Sequence, residues 1–308
     1  MTWIRDLLGL GAAAALLAGP AWAGQTPRPD GSLIDWSLDR RAGGAKQGIL
    51  LLAQGSGCES VLDNANIERG KGLLSDFAIL TVEKYGVAPH GKPTVGEGGC
   101  SPAFYAHHTI SQRVEDYQRV LALVEKEPWW NGQLVLFGGS EGGAAVTLLA
   151  PRVQPTATVI FSTGPGQPFR KTFKLAVPPP VWAEAEATFA KVQAAPESAE
   201  VWGGNSYRWW ADILDHDLLA DLLAVETPIL VVHGERDSSA PVAAARLARD
   251  GVRQAGRCNL TYWEFPGYDH QMRDPDGGAH IEEVLGRISG WLRRELAAPD
   301  PVRCAPGA

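Results

Sequence analysis

The most informative residues of the chain are those at 138–142, which read Gly-Gly-Ser-Glu-Gly and match the pattern G-x-S-x-G. An apolar run at 134–137 precedes them, and small residues with helical character follow at 143–150. On a sharp turn from a strand to a helix, only tiny residues fit beside a serine held in a strained conformation. The pattern therefore predicts that Ser140 is a nucleophile. A glycine-rich nucleotide-binding turn is the alternative, but the sequence lacks the G-K-[ST] phosphate-loop pattern.

A nucleophilic serine needs a base, and the base needs an acid that orients it; the chain contains candidates for both. Asp237 follows the predicted strand at 228–233, and His270 follows the last predicted strand at 260–265. The carboxyl ends of parallel strands share one edge of a sheet, where catalytic groups gather. The order Ser, Asp, His is typical of folds that carry this serine turn. We therefore predict a catalytic triad of Ser140, Asp237 and His270.

Other residues compete for the acid and base roles. Glu235 is the alternative to Asp237 as the acid, and a carboxylate that merely caps the following helix is a second interpretation of Asp237. We favour Asp237 because Pro241 starts the next helix and leaves Asp237 at the turn. Among the seven histidines only His270 follows the last strand, whereas His233 falls inside a strand and is expected to pack in the core.

His107 and His108 are predicted to lie in a loop or on a helix face. Adjacent residues project in different directions, and no third ligand has convincing spacing, so the pair does not indicate a metal site. We predict that the chain needs no metal and no other cofactor.

Two backbone N–H groups are expected to bind a developing oxyanion. The N–H of Glu141 lies at the start of the helix after the serine, and the turn at 54–58 reads Gln-Gly-Ser-Gly-Cys after the predicted strand at 48–52. Ser56 is the first choice for the second donor and Gly57 the next. A tight turn without a role in catalysis is the alternative interpretation.

The hydrophobic pattern predicts an α/β fold with a mostly parallel central sheet and helices on both faces. Residues 34–38 alternate as expected for an outer antiparallel strand. Short apolar runs without alternation, typical of strands buried on both faces, occur at residues 48–52, 77–82, 133–137, 156–162, 228–233 and 260–265.

The interval 164–227 separates two strands by far more than one crossover needs. We predict that it is a helical lid inserted into a core formed by 24–163 and 228–308. Its aromatic residues are expected either to line a substrate pocket or to pack the lid onto the core; they are Trp202, Tyr207, Trp209 and Trp210.

Residues 1–23 resemble an export signal, with an apolar stretch at 7–18 and a small-x-small cleavage site that ends at Ala23. We therefore expect a periplasmic or secreted protein without membrane insertion after cleavage. The net charge of −7 argues against nucleic acid or an anionic membrane as a main partner.

Export makes the four cysteines candidates for two disulfides, with three possible pairings. Cys58 and Cys100 both follow strands, at the carboxyl edge of the sheet. Cys258 precedes a strand, and Cys304 follows a helix that should return to the amino edge. Crossed pairings would span a strand of about 17 to 20 Å, so we predict the bridges Cys58–Cys100 and Cys258–Cys304.

The stretches Gly-Gly-Ser-Glu-Gly-Gly at 138–143 and Val-His-Gly-Glu-Arg-Asp at 232–237 resemble the α/β-hydrolase family, between carboxylesterases and prolyl-oligopeptidase-type hydrolases. The resemblance extends over nearly the whole mature chain. Gln54 departs from the pattern, since many members have a histidine before the oxyanion glycine. The motifs and the resemblance together imply an exported serine hydrolase that cleaves small-molecule carboxylic esters through an acyl-enzyme.

Two alternatives remain open at this point. A serine peptidase or amidase could use Glu97 or Glu141 to bind a substrate amine. A non-catalytic binding module could also be built on a hydrolase scaffold, although no triad residue is missing from the sequence. The oligomeric state is not predicted.

Overall fold

The computed structural model describes residues 18–41, 46–93 and 99–298. Its strands, in chain order, are β1 (Ala18–Pro27), β2 (Leu33–Arg41), β3 (Gln47–Ala53), β4 (Ala78–Val82), β5 (Trp130–Gly139), β6 (Ala157–Phe161), β7 (Val201–Trp202), β8 (Asn205–Ser206), β9 (Ile229–Gly234) and β10 (Leu260–Phe265). Its helices are α1 (Ala65–Gly70), α2 (Pro102–His107), α3 (Ile110–Val124), α4 (Glu141–Val153), α5 (Phe169–Ala176), α6 (Pro179–Ala194), α7 (Tyr207–Ile213), α8 (Leu218–Leu223), α9 (Val242–Gln254) and α10 (Ile281–Ala297).

Eight strands form one sheet in the order β1-β2-β4-β3-β5-β6-β9-β10. The six strands from β4 to β10 in that order run parallel, while β2 pairs antiparallel with both β1 and β4. Every residue of β3, β4, β6 and β9 is buried, as expected for parallel strands covered on both faces. The predicted fold class, including the outer antiparallel strand, is confirmed.

The apolar core lies in two layers, one on each face of the sheet. Helices α3, α4 and α9 supply one layer together with part of the segment between β6 and β9. Helices α1 and α10 supply the other. Parallel strands need helical crossovers, and these crossovers bury the apolar side chains of both sheet faces.

The segment between β6 and β9 contains four helices, α5 to α8, and the short hairpin β7–β8. The longest of these helices, α6, begins at Pro179 and ends at Ala194. Helix α8 packs against α4 and α9 of the core. The last part of the insertion is therefore integrated into the core, on the side that faces α4.

The first strand differs from the sequence-based expectation. The predicted signal peptide covers 1–23. In the structure, however, β1 begins at Ala18, and its pairing with β2 extends from Ala18 to Pro27. The predicted cleavage site thus lies inside a strand, and cleavage there would leave only Gly24 to Pro27 of it. Residues 1–17 lie outside the described part of the chain. Within the described part, no helix combines the length and apolar character needed to span a bilayer.

Candidate active site

Ser140 lies on the sharp turn between β5 and α4, with φ 55° and ψ −124°. A Cβ on Gly138 would lie 2.1 Å from the carbonyl oxygen of Gly142, and a Cβ on Gly142 would lie 2.1 Å from the carbonyl oxygen of Ala53. Only glycine fits at either position. The two glycines of the motif therefore allow the close approach that holds Ser140 in a conformation unusual for a residue with a side chain.

His270 and Asp237 meet beyond the carboxyl ends of the neighbouring strands β10 and β9. The Nδ1 atom of His270 lies 2.7 Å from Oδ2 of Asp237, whose side chain is fully buried. The other carboxylate oxygen of Asp237 accepts hydrogen bonds from the backbone N–H groups of Ser239 and Ala240. The carboxylate is thus fixed in place, and Nε2 of the partly exposed imidazole is left free for a reacting group.

The loop that carries His270 is held from two sides. Ser162 Oγ donates a hydrogen bond of 3.0 Å to the carbonyl oxygen of His270. The carboxylate of Asp269 accepts from the backbone N–H groups of Gln271 and Arg273, which closes a tight turn. The fully buried side chain of Met272 anchors this turn in the core. The imidazole is therefore presented by a fixed backbone.

The competing acid, Glu235, has a different position. One of its carboxylate oxygens accepts a hydrogen bond of 2.9 Å from the backbone N–H of Gly267, so Glu235 ties the loop after β9 to the loop after β10. His233 is fully buried, as expected, but it is also close to the acid. Its Nε2 donates to the carbonyl oxygen of Ala240 and lies 3.4 Å from Asp237 Oδ2.

The turn after β3 lies directly beside Ser140. A Cβ built on Gly55 would be 3.7 Å from Ser140 Cβ and 3.4 Å from the carbonyl oxygen of Gly139. Gln54, which stands where a histidine was expected from the resemblance, is buried and donates to the carbonyl oxygen of Glu59 across the turn. Its amide braces this turn internally.

A disulfide joins Cys58 in this turn to Cys100, in agreement with the predicted pairing. The second predicted bridge, Cys258–Cys304, includes Cys304, which lies outside the described residues. That pairing stays a prediction.

A buried charged cluster, formed by Lys84, His108, Arg113 and Glu141, lies behind the serine turn. Glu141 Oε1 is 2.7 Å from Lys84 Nζ, 3.3 Å from Arg113 Nη1 and 3.3 Å from His108 Nε2. All four side chains are at most 5% exposed. The carboxylate of Glu141 is thus surrounded by two cationic side chains, Lys84 and Arg113, and by the imidazole of His108.

Burial and proximity shift the pKa values of this cluster in definite directions. Burial lowers the pKa of Lys84 to about 8 and that of His108 to about 4. Burial alone would raise the pKa of Glu141, but the charge of Lys84 and the contacts with His108 and Arg113 outweigh it and hold that pKa far below its usual value. Glu141 is therefore ionised, and His108 is neutral at pH 7.

One sequence-based expectation about this cluster is wrong. Glu141 was considered as a site for a substrate amine, but its carboxylate is buried and neutralised by Lys84. His108 lies in the loop between α2 and α3, in agreement with the prediction, and there it is buried against Glu141 and stacks on Phe104. Neither pairing is visible from sequence spacing, because the partners come from four separate elements. Glu97, the other candidate for binding an amine, lies outside the described residues.

Two cavities meet at Ser140, and Ser56 lines both. The smaller, about 260 Å³, is mostly apolar and extends under the insertion, where it is lined by Phe169, Phe173, Trp209 and Trp210. The larger, about 450 Å³, contains His270 and the polar side chains of Asn64, Asn66, Arg69, Gln271 and Arg273. Ser140 thus separates an aromatic space from a polar space.

The aromatic residues of the insertion lie in two different surroundings. Trp209 and Trp210 line the smaller cavity, whereas Trp202 packs on Trp210 and Phe189 away from it. The contacts of Trp202 thus lie within the insertion, and the interpretation that Trp209 and Trp210 line a substrate pocket stays a prediction. Within the described ranges, no cluster of three or more His, Cys, Asp or Glu side chains could hold a metal ion.

Comparison with known proteins identifies the fold but not a close relative. No protein-family model and no curated protein matches the chain. A solved structure of Est1E from Butyrivibrio proteoclasticus with ferulic acid bound superposes with a TM-score of 0.63 at 17% identity, covering 87% of this chain and 98% of that one. Acetyl xylan esterase 1 from Thermoanaerobacterium sp. gives 0.60 at 12% identity, covering 92% and 86%.

Peptidases share the same architecture. Porphyromonas gingivalis dipeptidyl peptidase 4 gives a TM-score of 0.60 at 10% identity, over 90% of this chain but only 36% of the peptidase. At these identities the similarity concerns the fold. The chain has the α/β-hydrolase fold.

Proposed function

We propose that this protein is a serine hydrolase that cleaves carboxylic esters through an acyl-enzyme on Ser140. The observation that carries the proposal is the contact between His270 Nδ1 and Asp237 Oδ2 at the edge of the cavity that also contains Ser140. A buried, fixed carboxylate on Nδ1 keeps the imidazole in the tautomer whose Nε2 can accept a proton. This is the arrangement that general-base activation of a serine requires.

In the first half of the reaction, Ser140 Oγ attacks the ester carbonyl carbon while His270 Nε2 takes the hydroxyl proton. The carbonyl π electrons move to oxygen, and the N–H groups of Ser56 and Glu141 bind the resulting oxyanion. When the tetrahedral intermediate collapses, the bond to the leaving alcohol breaks and His270 returns the proton to that oxygen. Asp237 stabilises the charged imidazolium between these steps.

In the second half, His270 removes a proton from water and the hydroxide attacks the acyl-enzyme. The same N–H groups bind the second oxyanion. Collapse of this intermediate breaks the bond to Ser140 Oγ, which receives the proton from His270, and releases the acid. The proposed mechanism uses only side chains and backbone groups of the chain.

The two cavities suggest how the ester is oriented. His270 must reach the leaving oxygen, so we assign the leaving alcohol to the larger polar cavity and the acyl group to the aromatic cavity under the insertion. Trp209 and Trp210 would then contact the acyl chain. The insertion at 164–227 acts in this proposal as a lid that selects the acyl group without supplying a reacting side chain.

Ester hydrolysis is favoured over peptidase activity by the charges in the two cavities. Among the described residues that line them, Glu141 is the only carboxylate, and Lys84 already neutralises it. Recognition of a substrate ammonium group needs an available carboxylate at the site. A peptidase that recognises a free amino terminus is therefore poorly supported.

Export to an oxidising compartment is part of the proposal. The disulfide Cys58–Cys100 supports it, because such bonds persist mainly outside the cytosol. Amino-terminal sequencing of the mature protein tests it, and we expect the sequence to start at Gly24. A mature protein that retains residues before Ala18 would contradict cleavage.

A substrate panel tests the activity itself. We expect the purified protein to hydrolyse esters of small acids, and we expect Ser140→Ala to abolish that hydrolysis. The panel should vary the acyl group with the alcohol constant and then the alcohol with the acyl group constant, and should include aminoacyl amides. Turnover of the amides with no turnover of any ester would replace the esterase proposal with the peptidase one.

A further inference from the structure

Lys84 is a buried residue that none of the steps above uses. It follows β4, its side chain is 0% exposed, and its ammonium group makes three short contacts. Nζ lies 2.6 Å from the carbonyl oxygen of Gly55, 2.9 Å from that of Gly57 and 2.7 Å from Oε1 of Glu141. A protonated amine has three N–H donors, so every donor of Lys84 has an acceptor.

The first of these acceptors belongs to the same peptide group as the Ser56 N–H. A trans peptide group is planar, and its C=O and N–H point in opposite directions. A carbonyl oxygen of Gly55 that is held towards Lys84 therefore turns the N–H of Ser56 away from Lys84. The contact with Gly57 fixes the carbonyl of the Gly57–Cys58 peptide group as well, so Lys84 holds the turn on both sides of the peptide that joins Ser56 to Gly57.

The third acceptor connects Lys84 to the other proposed oxyanion donor. Glu141 supplies its backbone N–H at the start of α4 and its carboxylate to Lys84. The carbonyl oxygen of Ser140, in the same peptide group as that N–H, accepts from Thr163 Oγ1 at 2.8 Å. Lys84 is thus the side chain that joins the turn after β3 to the serine turn.

We propose that Lys84 is a positioning residue that holds the two N–H donors of the oxyanion site, Ser56 and Glu141, at a fixed separation. The inference rests on the proposed function, because it assigns those two N–H groups to the oxyanion. Lys84 touches neither the substrate nor the reacting atoms. It acts through the Gly55 carbonyl and the Glu141 carboxylate. It therefore stabilises the transition state, in which the oxyanion forms, and does not strengthen substrate binding.

Because the side chain of Lys84 is fully buried, its charge must be compensated by specific contacts. A buried ammonium group costs free energy unless it is paired and hydrogen-bonded. Here it is paired with Glu141 and bonded to two carbonyls in a turn that is already closed by Gln54 and by the Cys58–Cys100 bridge. A hydrophobic residue of similar length could fill the space, but it would leave both carbonyls without this donor.

The test compares Lys84→Met with Arg113→Met. Methionine has a similar length and no donor. Arg113 belongs to the same buried cluster, but its guanidinium group bonds to Glu141 Oε1 at 3.3 Å and to the hydroxyl of Tyr117 at 2.7 Å rather than to the turn at 54–58. The control variant therefore removes a buried cation of the cluster without releasing the Gly55 carbonyl. Both variants are first matched for folding by thermal melting.

The readouts are kcat and KM for a small acetate ester and the inhibition constant of a trifluoromethyl ketone. Ser140 Oγ adds to the carbonyl carbon of this inhibitor while His270 takes the serine proton. The carbonyl oxygen of the inhibitor then becomes an oxyanion, so the inhibition constant reports on the oxyanion site. We expect Lys84→Met to lower kcat by about 100-fold, the typical effect of one oxyanion donor, with KM changed by less than about threefold. Inhibitor affinity should fall by a similar factor. Arg113→Met should change each value by less than about threefold.

Two results would overturn the inference. One is a folded Lys84→Met protein with kcat within about threefold of the original. The other is an equal loss of kcat in Lys84→Met and Arg113→Met. Such a result would show that the loss comes from disturbing the buried cluster as a whole and not from releasing the Gly55 carbonyl. If Lys84→Met does not fold, the same measurements are made on Lys84→Leu, which also has no donor, and unchanged inhibitor affinity in that variant overturns the inference. Failure of the unsubstituted protein to hydrolyse any ester would instead contradict the proposed function.

Discussion

The imidazole of His270 lies 2.7 Å from the buried carboxylate of Asp237, although the two residues belong to loops after different strands. The register of the sheet explains the contact. Phe265, the last residue of β10, pairs with Gly234, the last residue of β9, so both loops leave the sheet at the same level. The parallel sheet therefore brings an acid and a base together from distant parts of the sequence.

Asp237→Asn should lower kcat strongly and leave the fold intact. The amide oxygen of asparagine can still accept from the N–H groups of Ser239 and Ala240, but its NH₂ group would face Nδ1 of His270. The imidazole would then favour the tautomer with the proton on Nε2, which cannot act as a base. We expect kcat to fall by about 10⁴-fold, measured by steady-state kinetics with a small ester.

The matched control is Glu235→Gln on the same loop. Glu235 bonds to the backbone of Gly267 and not to an imidazole, and a glutamine oxygen can accept the same bond. We expect kcat within a few-fold of the original. A greater loss in Glu235→Gln than in Asp237→Asn would identify Glu235 as the acid.

Trp209→Ala should change the acyl preference of the enzyme. Trp209 lines the cavity assigned to the acyl group, so its removal should lower kcat/KM for a long or aromatic acyl group by about tenfold or more, relative to acetate. Trp202→Ala is the control, because Trp202 packs on Trp210 outside that cavity. Measured on the same ester series, an identical loss for every ester in Trp209→Ala would show that the residue serves packing alone.

Cys58→Ser should lower both stability and turnover. The bridge closes a loop with a sequence separation of 42 residues, which corresponds to about 4 kcal/mol of unfolding free energy in the chain-entropy model. Cys58 also ends the turn that contains Ser56, so kcat should fall in protein that is still folded. Urea unfolding and ester kinetics measure the two effects.

Cys304→Ser provides the comparison for the bridge. We expect it to reduce stability with little change in kcat, since its predicted partner Cys258 lies before β10 and away from Ser140. Peptide mapping without reduction checks the pairing directly. A peptide that joins Cys58 to Cys258 would contradict the topology from which both bridges were predicted.

The buried cluster should make the protein sensitive to acid. Burial lowers the pKa of His108 to about 4, whereas an unfolded histidine titrates near pH 6.5. Between these values the unfolded chain binds a proton that the folded chain does not, so the free energy of unfolding falls as the pH drops through this window. Glu141, with its lowered pKa, adds a loss in the same direction below about pH 4.5.

Urea unfolding at about pH 7 and about pH 4.5 measures this effect. His108→Gln should reduce the difference between the two unfolding free energies by about 2 to 3 kcal/mol. The control is His107→Gln, because the imidazole of His107 stacks on Tyr85 outside the cluster. This variant should leave the difference between the two unfolding free energies unchanged. The same acid sensitivity in His108→Gln and the original protein would contradict the assigned protonation states.

Local patterns in the sequence were sufficient to predict the parallel sheet and the position of Ser140. Each buried strand is a short apolar run, and the glycines at 138 and 142 are required by contacts with adjacent backbone. The relation between Asp237 and His270 could also be predicted, because parallel strands end at one edge. The prediction of β10 matches its bounds, Leu260–Phe265.

The buried cluster could not be predicted in the same way. Lys84 follows an apolar strand and looks like the usual charged residue at the end of a strand, yet it turns inward to Glu141 and the Gly55 carbonyl. Its partners are far apart in the chain and follow no repeat. The extra strand β1 was missed because its apolar residues overlap the stretch that resembles an export signal.

The most direct test of the central claim is to label the protein with a fluorophosphonate and locate the adduct by mass spectrometry. We predict a single adduct on Ser140, formed by displacement of fluoride by Oγ, and no adduct in Ser140→Ala. The same variant should show no ester turnover above background. An adduct on another serine, or full ester turnover by Ser140→Ala, would contradict the assignment of Ser140 as the nucleophile.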